Sequence, residues 1–165
     1  VIKEARRLGI ISYIPNKPSI ALGTASLNLL EMTGAFVAIG GSGKPVIPYG
    51  IEEITNRDQK NILWKRKDPN RKPIITKKAL KEMKSLLRAV VLEGTAKKLK
   101  NNSVKIIGKT GTSQKNRDAW FIGCTKDYVV GIWLGRDDDQ PMNGISGSNI
   151  PINIYKNIID KGGFK

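Results

Sequence analysis

Three apolar-rich runs near the end of the chain, Val104 to Thr112, Asp118 to Thr125 and Tyr128 to Leu134, are separated only by Ser113 to Arg117 and by Lys126-Asp127. Parallel strands need a crossover of a dozen residues or more, whereas antiparallel neighbours can be joined by a tight turn. The runs are therefore expected to be consecutive strands of an antiparallel meander, with the first on its outer edge. A helix from about Pro151 to Asp160, with Ile154, Ile158 and Ile159 on one side, is expected to cover one face of that sheet.

The preceding residues supply helices and a hairpin. Residues 1 to 8 read as the end of a helix stopped by Gly9, followed by a loop with Pro15 and Pro18. From Ser26 to about Ile39 the apolar positions fit a helix, with Ser26 or Asn28 as cap and Gly40, Gly41 and Gly43 ending it. Short strands are expected at Ile47 to Ile54 and Ile62 to Trp64, linked by Asn56-Arg57-Asp58-Gln59. The clearest helix starts at the cap Thr76 and carries Leu80, Met83, Leu87, Val90 and Val91 at three- and four-residue spacings, up to Gly94. Its other side bears Lys77, Lys78, Lys81, Lys84 and Arg88, the ordinary solvated face of a surface helix. The fold class is α+β, an antiparallel sheet packed by helices.

At 165 residues and 39% hydrophobic content, one domain or a large piece of one is expected. The chain opens Val-Ile-Lys-Glu-Ala-Arg-Arg-Leu, already helical in pattern, so residue 1 reads as a cut in something longer. With no apolar run of about 18 residues, neither a signal peptide nor a membrane span is expected within it. The net charge of +15 favours anionic partners, but 21 of the 29 basic residues are Lys and only 8 are Arg. Bidentate recognition of bases and phosphates leans on Arg, and a bias toward Lys, Ile and Asn accounts for the charge, so nucleic acid is not the expected partner.

The absence of His excludes a Ser-His-Asp triad, a Cys-His pair and the common zinc sites within this chain. Cys124, the single cysteine, lies in an apolar stretch and is expected to be buried and inert. Asp137, Asp138 and Asp139 read as a solvated turn, not a metal site; no metal or cofactor is expected. Asp118 is expected to be structural, and Trp120 and Trp133 on neighbouring strands are expected to pack as core.

The informative motif is Gly108-Lys109-Thr110-Gly111-Thr112. A phosphate-binding loop needs Gly, four residues, then Gly-Lys-Ser/Thr at a helix N-terminus. Here Ser103 stands at the first position and a strand, not a helix, is expected to follow; Gly43-Lys44 fails too, with Ala38 and Pro45 at the outer positions. The alternative is serine acyl transfer without histidine, in which Lys-Thr-Gly lines the site on an edge strand. Such a strand offers Lys109 as a fixed charge and the Thr110 and Thr112 hydroxyls to a substrate carboxylate. Gly111 admits close approach of an acyl donor's backbone. A backbone N–H near Thr112 serves the developing oxyanion.

Further segments stand in order around that motif. Asp118-Ala119-Trp120-Phe121-Ile122-Gly123, Gly131-Ile132-Trp133-Leu134-Gly135-Arg136-Asp137-Asp138 and Pro141-Met142 follow it. Ser19 to Ser26, Glu31 to Phe36, Gly40-Gly41, Val90-Val91 and Gly94-Thr95-Ala96 precede it. Together they resemble the C-terminal part of the transpeptidase domain of class A, bifunctional penicillin-binding proteins. The resemblance implies a partial penicillin-binding/serine β-lactamase-like transpeptidase fold, with residues 1–165 as the C-terminal portion of the domain. It implies a D,D-transpeptidase that cross-links peptidoglycan stem peptides through a serine acyl-enzyme and is acylated by β-lactams. It also implies action outside the cytoplasmic membrane, in the periplasm, with membrane contact only through an N-terminal anchor that this chain lacks. Lys109, Thr110 and Gly111 match the family's third motif, with Thr112 beside them as the carboxylate contact and oxyanion-hole donor; the resemblance implies Lys109 and Thr112 as catalytic residues and all four as substrate-binding.

The family's first motif, Ser-x-x-Lys, does not occur: none of the nine Ser residues has Lys three positions later. Its nearest approximation, Ser85-Leu86-Leu87-Arg88, ends in an Arg whose pKa, above about 12, bars it from acting as a base. Ser26-Leu27-Asn28 matches the second motif, Ser-x-Asn, in form only, because it falls within the segment resembling the region after that motif. The chain alone is therefore expected to be inactive. The competing reading is a non-catalytic basic module that binds anionic polymer.

Overall fold

The computed structural model describes residues 1–58 and 60–162. A short helix α1 (Ile2–Arg7) ends at Gly9, whose φ of 100° suits glycine. After a single 3-10 turn at Pro18–Leu22 comes α2 (Leu29–Gly40). The helix starts at Asn28, whose side-chain oxygen accepts the Glu31 N–H at 2.8 Å; Ser26 takes no part in the cap.

The expected hairpin is shorter than its sequence pattern. Strand β1 is confined to Glu53–Thr55 and pairs antiparallel with β2 (Ile62–Lys65) across an irregularity at Ile54/Thr55. Pro48 and Gly50 interrupt the first half of the expected run: proline has no N–H to give a ladder, and glycine has no side chain to pack. Of its connection, Gln59 lies outside the described residues.

Thr76 caps α3 (Lys77–Leu92), its Oγ1 accepting the Ala79 N–H at 3.2 Å. The meander is then β3 (Ile107–Thr112), β4 (Asp118–Cys124) and β5 (Val129–Gly135), antiparallel in the order β3-β4-β5, so β3 is an edge strand. Val104 to Ile106 do not join the ladder; the Ile106 carbonyl instead accepts from the Arg88 guanidinium at 2.7 Å, fastening the strand entrance to α3. The last element is α4 (Ile150–Lys161).

Alternation along the strands builds two cores. On one face Phe121 and Ile132 meet Ile152, Tyr155 and Ile159 of α4, with Val91 of α3, Ala96 and Leu99 closing the end. Phe121 and Tyr155 stack edge to face with centroids 5.0 Å apart. The buried line of α4 is thus Ile152, Tyr155 and Ile159, while Ile154 and Ile158 are only partly buried beside it. On the other face Ile107 and Cys124 pack with Leu87 of α3 and with Phe36 and Ile39 of α2. Gly131 permits this approach, because a methyl group there would collide with Thr33 of α2. Neither tryptophan is core: Trp133 is 42% exposed at the open end of this face, against Gly135, and Trp120, only half-buried, lies at a centroid distance of 6.2 Å. Among the described residues no helix is long and apolar enough to cross a membrane.

Candidate active site

Lys109, Thr110, Gly111 and Thr112 occupy consecutive positions on edge strand β3, opposite Ile122, Phe121, Trp120 and Ala119. The period of two divides them. Lys109 and Gly111 share the face of Ile107, which packs against α2 and α3, while Thr110 and Thr112 share the α4 face with Gly108. The pleat therefore brings the two threonine hydroxyls together and sends the lysine the other way. Lys109 curls back over the strand edge, its Nζ donating to the Thr110 carbonyl at 2.9 Å.

The backbone polarity of β3 follows from its pairing. Just beyond the strand the Ser113 N–H donates to the Asp118 carbonyl at 3.1 Å, so Ser113 and Asp118 form a hydrogen-bonded pair. Two-residue alternation then directs the amides of Gly111 and Lys109 toward β4 and those of Thr110 and Thr112 toward the open edge. The β4–β5 side agrees: Thr125 N–H donates to Tyr128 O at 2.9 Å, so odd-numbered β4 residues bond β5 and even-numbered ones bond β3. The open edge thus offers the N–H of Thr112, the N–H of Thr110 and the Thr110 carbonyl that Lys109 covers.

Neither threonine hydroxyl stands alone. Thr110 Oγ1 is 2.7 Å from Thr95 Oγ1, at the end of α3, and Thr112 Oγ1 accepts the Gly147 N–H at 3.0 Å. Gly147 belongs to the connection from β5 to α4 and was not singled out from sequence; Thr95 was marked only as part of the resembling segment Gly94-Thr95-Ala96, with no site role. They lie 35 and 15 residues from their partners, and no local periodicity or cap signal links such distant positions.

The groups around the strand have structural partners. Asp118 Oδ1 accepts from Trp133 Nε1 at 2.9 Å, which fixes the exposed indole. Asp138 pairs with Arg136 at 2.6 Å and Asp139 with Arg117 at 2.8 Å, so these neighbouring carboxylates face different cations. The hydrogen bond from Arg136 holds Asp138 down at about 2. Cys124 is buried, and loss of hydration pushes its thiol up to about 12. Asn28 of Ser26-Leu27-Asn28 is engaged in capping α2, and Ser85 to Arg88 lie within α3.

Chemically, the edge is suited to an extended acyl donor with a carboxylate. Backbone N–H groups await a carbonyl oxygen, two hydroxyls stand on one face, and a cation sits at the rim. Among the described residues on this edge no nucleophile is paired with a base.

The chain is similar to known proteins in both sequence and fold. A family model described as penicillin binding protein transpeptidase domain matches residues 13–160. The chain is 30% identical over 156 residues to penicillin-binding protein 1A of Aquifex aeolicus, covering 94% of this chain and 21% of that protein. It is 33% identical over 139 residues to penicillin-binding protein 4 of Bacillus subtilis, covering 82% and 22% respectively. The chain thus spans about a fifth of the length of the curated relatives it matches. Its fold matches that of the penicillin-binding protein PonA1 from Mycobacterium tuberculosis with a TM-score of 0.82 at 20% identity, over 96% of this chain and 47% of that one. Penicillin-binding protein 1A from Haemophilus influenzae matches with a TM-score of 0.81 at 21% identity, over 99% and 31%.

Proposed function

The chain belongs to the penicillin-binding protein transpeptidase family, and on that premise we propose that residues 1–165 are the C-terminal portion of a D,D-transpeptidase domain. In this reading they form the wall along which a peptidoglycan stem peptide, or a β-lactam in its place, is held during acylation of a serine. That serine comes from a Ser-x-x-Lys segment not contained in this chain. Its oxygen bonds to the donor's carbonyl carbon, the amide C–N bond breaks and the terminal amino acid leaves; an acceptor amine then displaces the serine.

The observation that carries the reading is the outward N–H of Thr112 on an edge strand flanked by Lys109. An extended donor can add to such an edge as a further strand, main chain to main chain. The Thr112 N–H then lies where negative charge develops on the carbonyl oxygen, a preorganised donor worth several kcal/mol. The Thr110 and Thr112 hydroxyls and the Lys109 charge take the donor's carboxylate. Gly111, next to the Trp120 Cβ at 3.2 Å for any added methyl, keeps that stretch low. Family membership supports action on the outer side of the bacterial inner membrane, in the periplasm, through an N-terminal anchor.

Intact-mass spectrometry after incubation with a β-lactam tests the reading. The 165-residue chain should show no mass shift, and a longer chain that includes the Ser-x-x-Lys segment should gain one acyl group; a stoichiometric adduct on the short chain would refute the missing nucleophile. In the longer chain Thr112→Val should slow acylation about tenfold to a hundredfold, since a charge-assisted hydrogen bond is worth about 1.5 to 3 kcal/mol. Lys109→Ala should cost at least as much. Unchanged rates in both would show that β3 does not line the site.

One observation favours the competing basic module. A groove between α3 and the entrance to β3 is lined by Lys77, Lys81, Lys84, Arg88 and Lys105 together with Leu80, Ser85 and Ile107. Polyanion binding with a steep salt dependence, indifferent to β-lactams, would support it.

A further inference from the structure

We infer that Gly147 is a positioning residue for the carboxylate contact, an inference that rests on the proposed function of β3: its backbone N–H occupies one lone pair of the Thr112 hydroxyl and biases that hydroxyl toward donating outward. A hydroxyl has one proton and two lone pairs, and left to rotate it presents either to a ligand. A carboxylate is an acceptor only, so the useful orientation is the one with the proton outward. The Gly147 N–H, 3.0 Å from Thr112 Oγ1, occupies a lone pair and cannot receive the proton. The proton is then free for an acceptor on the exposed side of Thr112, beside the Thr110 hydroxyl. Orientation before binding spares the ligand the cost of imposing it.

Both the residue type and the loop around it are explained by this contact. Gly147 is buried flat on the β3–β4 ladder, where a methyl group would run into the carbonyl oxygens of Gly111 and Trp120. Any side chain would lift the backbone off the ladder and draw the N–H away from Thr112. The loop is held by the residue that starts α4: Asn149 accepts the Ser146 N–H at 2.9 Å and donates to the Gly144 carbonyl at 2.6 Å. Its oxygen also accepts the Ile150 N–H at 2.6 Å. A second tie joins the Met142 N–H to the Asn116 carbonyl at 3.1 Å, beyond the end of β3. The helix cap and the edge strand are thereby coupled through one amide.

Two measurements test this. Amide hydrogen exchange on the 165-residue chain should show the Gly147 amide protected in the native protein and in Thr112→Ser, and exchanging faster in Thr112→Val. Equal protection in all three would mean that the threonine oxygen is not its partner and would overturn the inference. In the longer chain carrying the nucleophile, acylation by benzylpenicillin is compared with acylation by its methyl ester, which lacks the carboxylate charge. Thr112→Val should lower the ratio of the two rates about tenfold or more. Gly147→Ala should lower the same ratio by a comparable factor, and the double variant should fall no further. If Gly147→Ala fails to fold, Asn149→Ala loosens the loop without a clash and should shift the ratio in the same direction. A fall in both rates with the ratio unchanged, or effects that multiply in the double variant, would overturn the positioning role. If Thr112→Val itself leaves the ratio unchanged, the reading of β3 as the carboxylate wall fails instead.

Discussion

Tyr155 is fully buried in the α4 core, yet its hydroxyl has no hydrogen-bond partner among the described residues. Burial pushes the phenol pKa upward, with Cys124 adding to the shift, so the group stays neutral. A buried polar group without a partner costs about 1 to 3 kcal/mol. Tyr155→Phe removes that cost and keeps the ring edge-on to Phe121. The void left by one oxygen, roughly 10 to 15 Å3, costs only about 0.3 kcal/mol at about 24 cal/mol per Å3. The variant should therefore be more stable by about 1 to 2 kcal/mol, which for a chain of this size raises Tm by about 2 to 8 °C. Differential scanning calorimetry of both proteins, with urea titrations for the free energies, measures it. A Tm that falls by two degrees or more would refute the reasoning and show that the hydroxyl is satisfied in solution.

Gly123→Ala should act in the opposite sense: its methyl would lie 2.5 Å from the Tyr155 ring and 2.8 Å from Phe121, two rigid groups, at a cost of about 3 kcal/mol in urea titrations. Cys124, with its thiol pushed up to about 12, should resist an aromatic disulfide reagent at pH 8 in the native chain and react in full once unfolded.

The meander and its edge were legible because connection lengths leave so few choices, and the caps at Asn28 and Thr76 because capping is local. What escaped the sequence depends on the third dimension. Trp133 looked like core because it pairs with Trp120 on a neighbouring strand, but it follows Gly131 on the outer end of its face, beyond the reach of α2. The strand expected from Ile47 failed where Pro48 and Gly50 outweigh the apolar residues around them. At the candidate site the motif itself was readable, as was the role of an edge strand. The division of its side chains between two faces is implicit in a period of two, but which face meets which helix is set by packing. The contacts of Gly147 and Thr95 could not be read, although Gly94-Thr95-Ala96 stood out as a resembling segment, since each acts through a contact made only when distant segments close on β3.

The Lys109 ammonium resting on the Thr110 carbonyl has a consequence for solubility. A bare strand edge accepts any extended segment, including the same strand of another molecule, and proteins commonly guard such edges with lysine. Here the guard sits on the acceptor that a pairing segment would need, and a second molecule would bring an identical charge to the same spot. The lysine therefore admits a partner that carries a negative charge and turns away one that carries its own, so a neutral residue at 109 would leave the edge open to self-association.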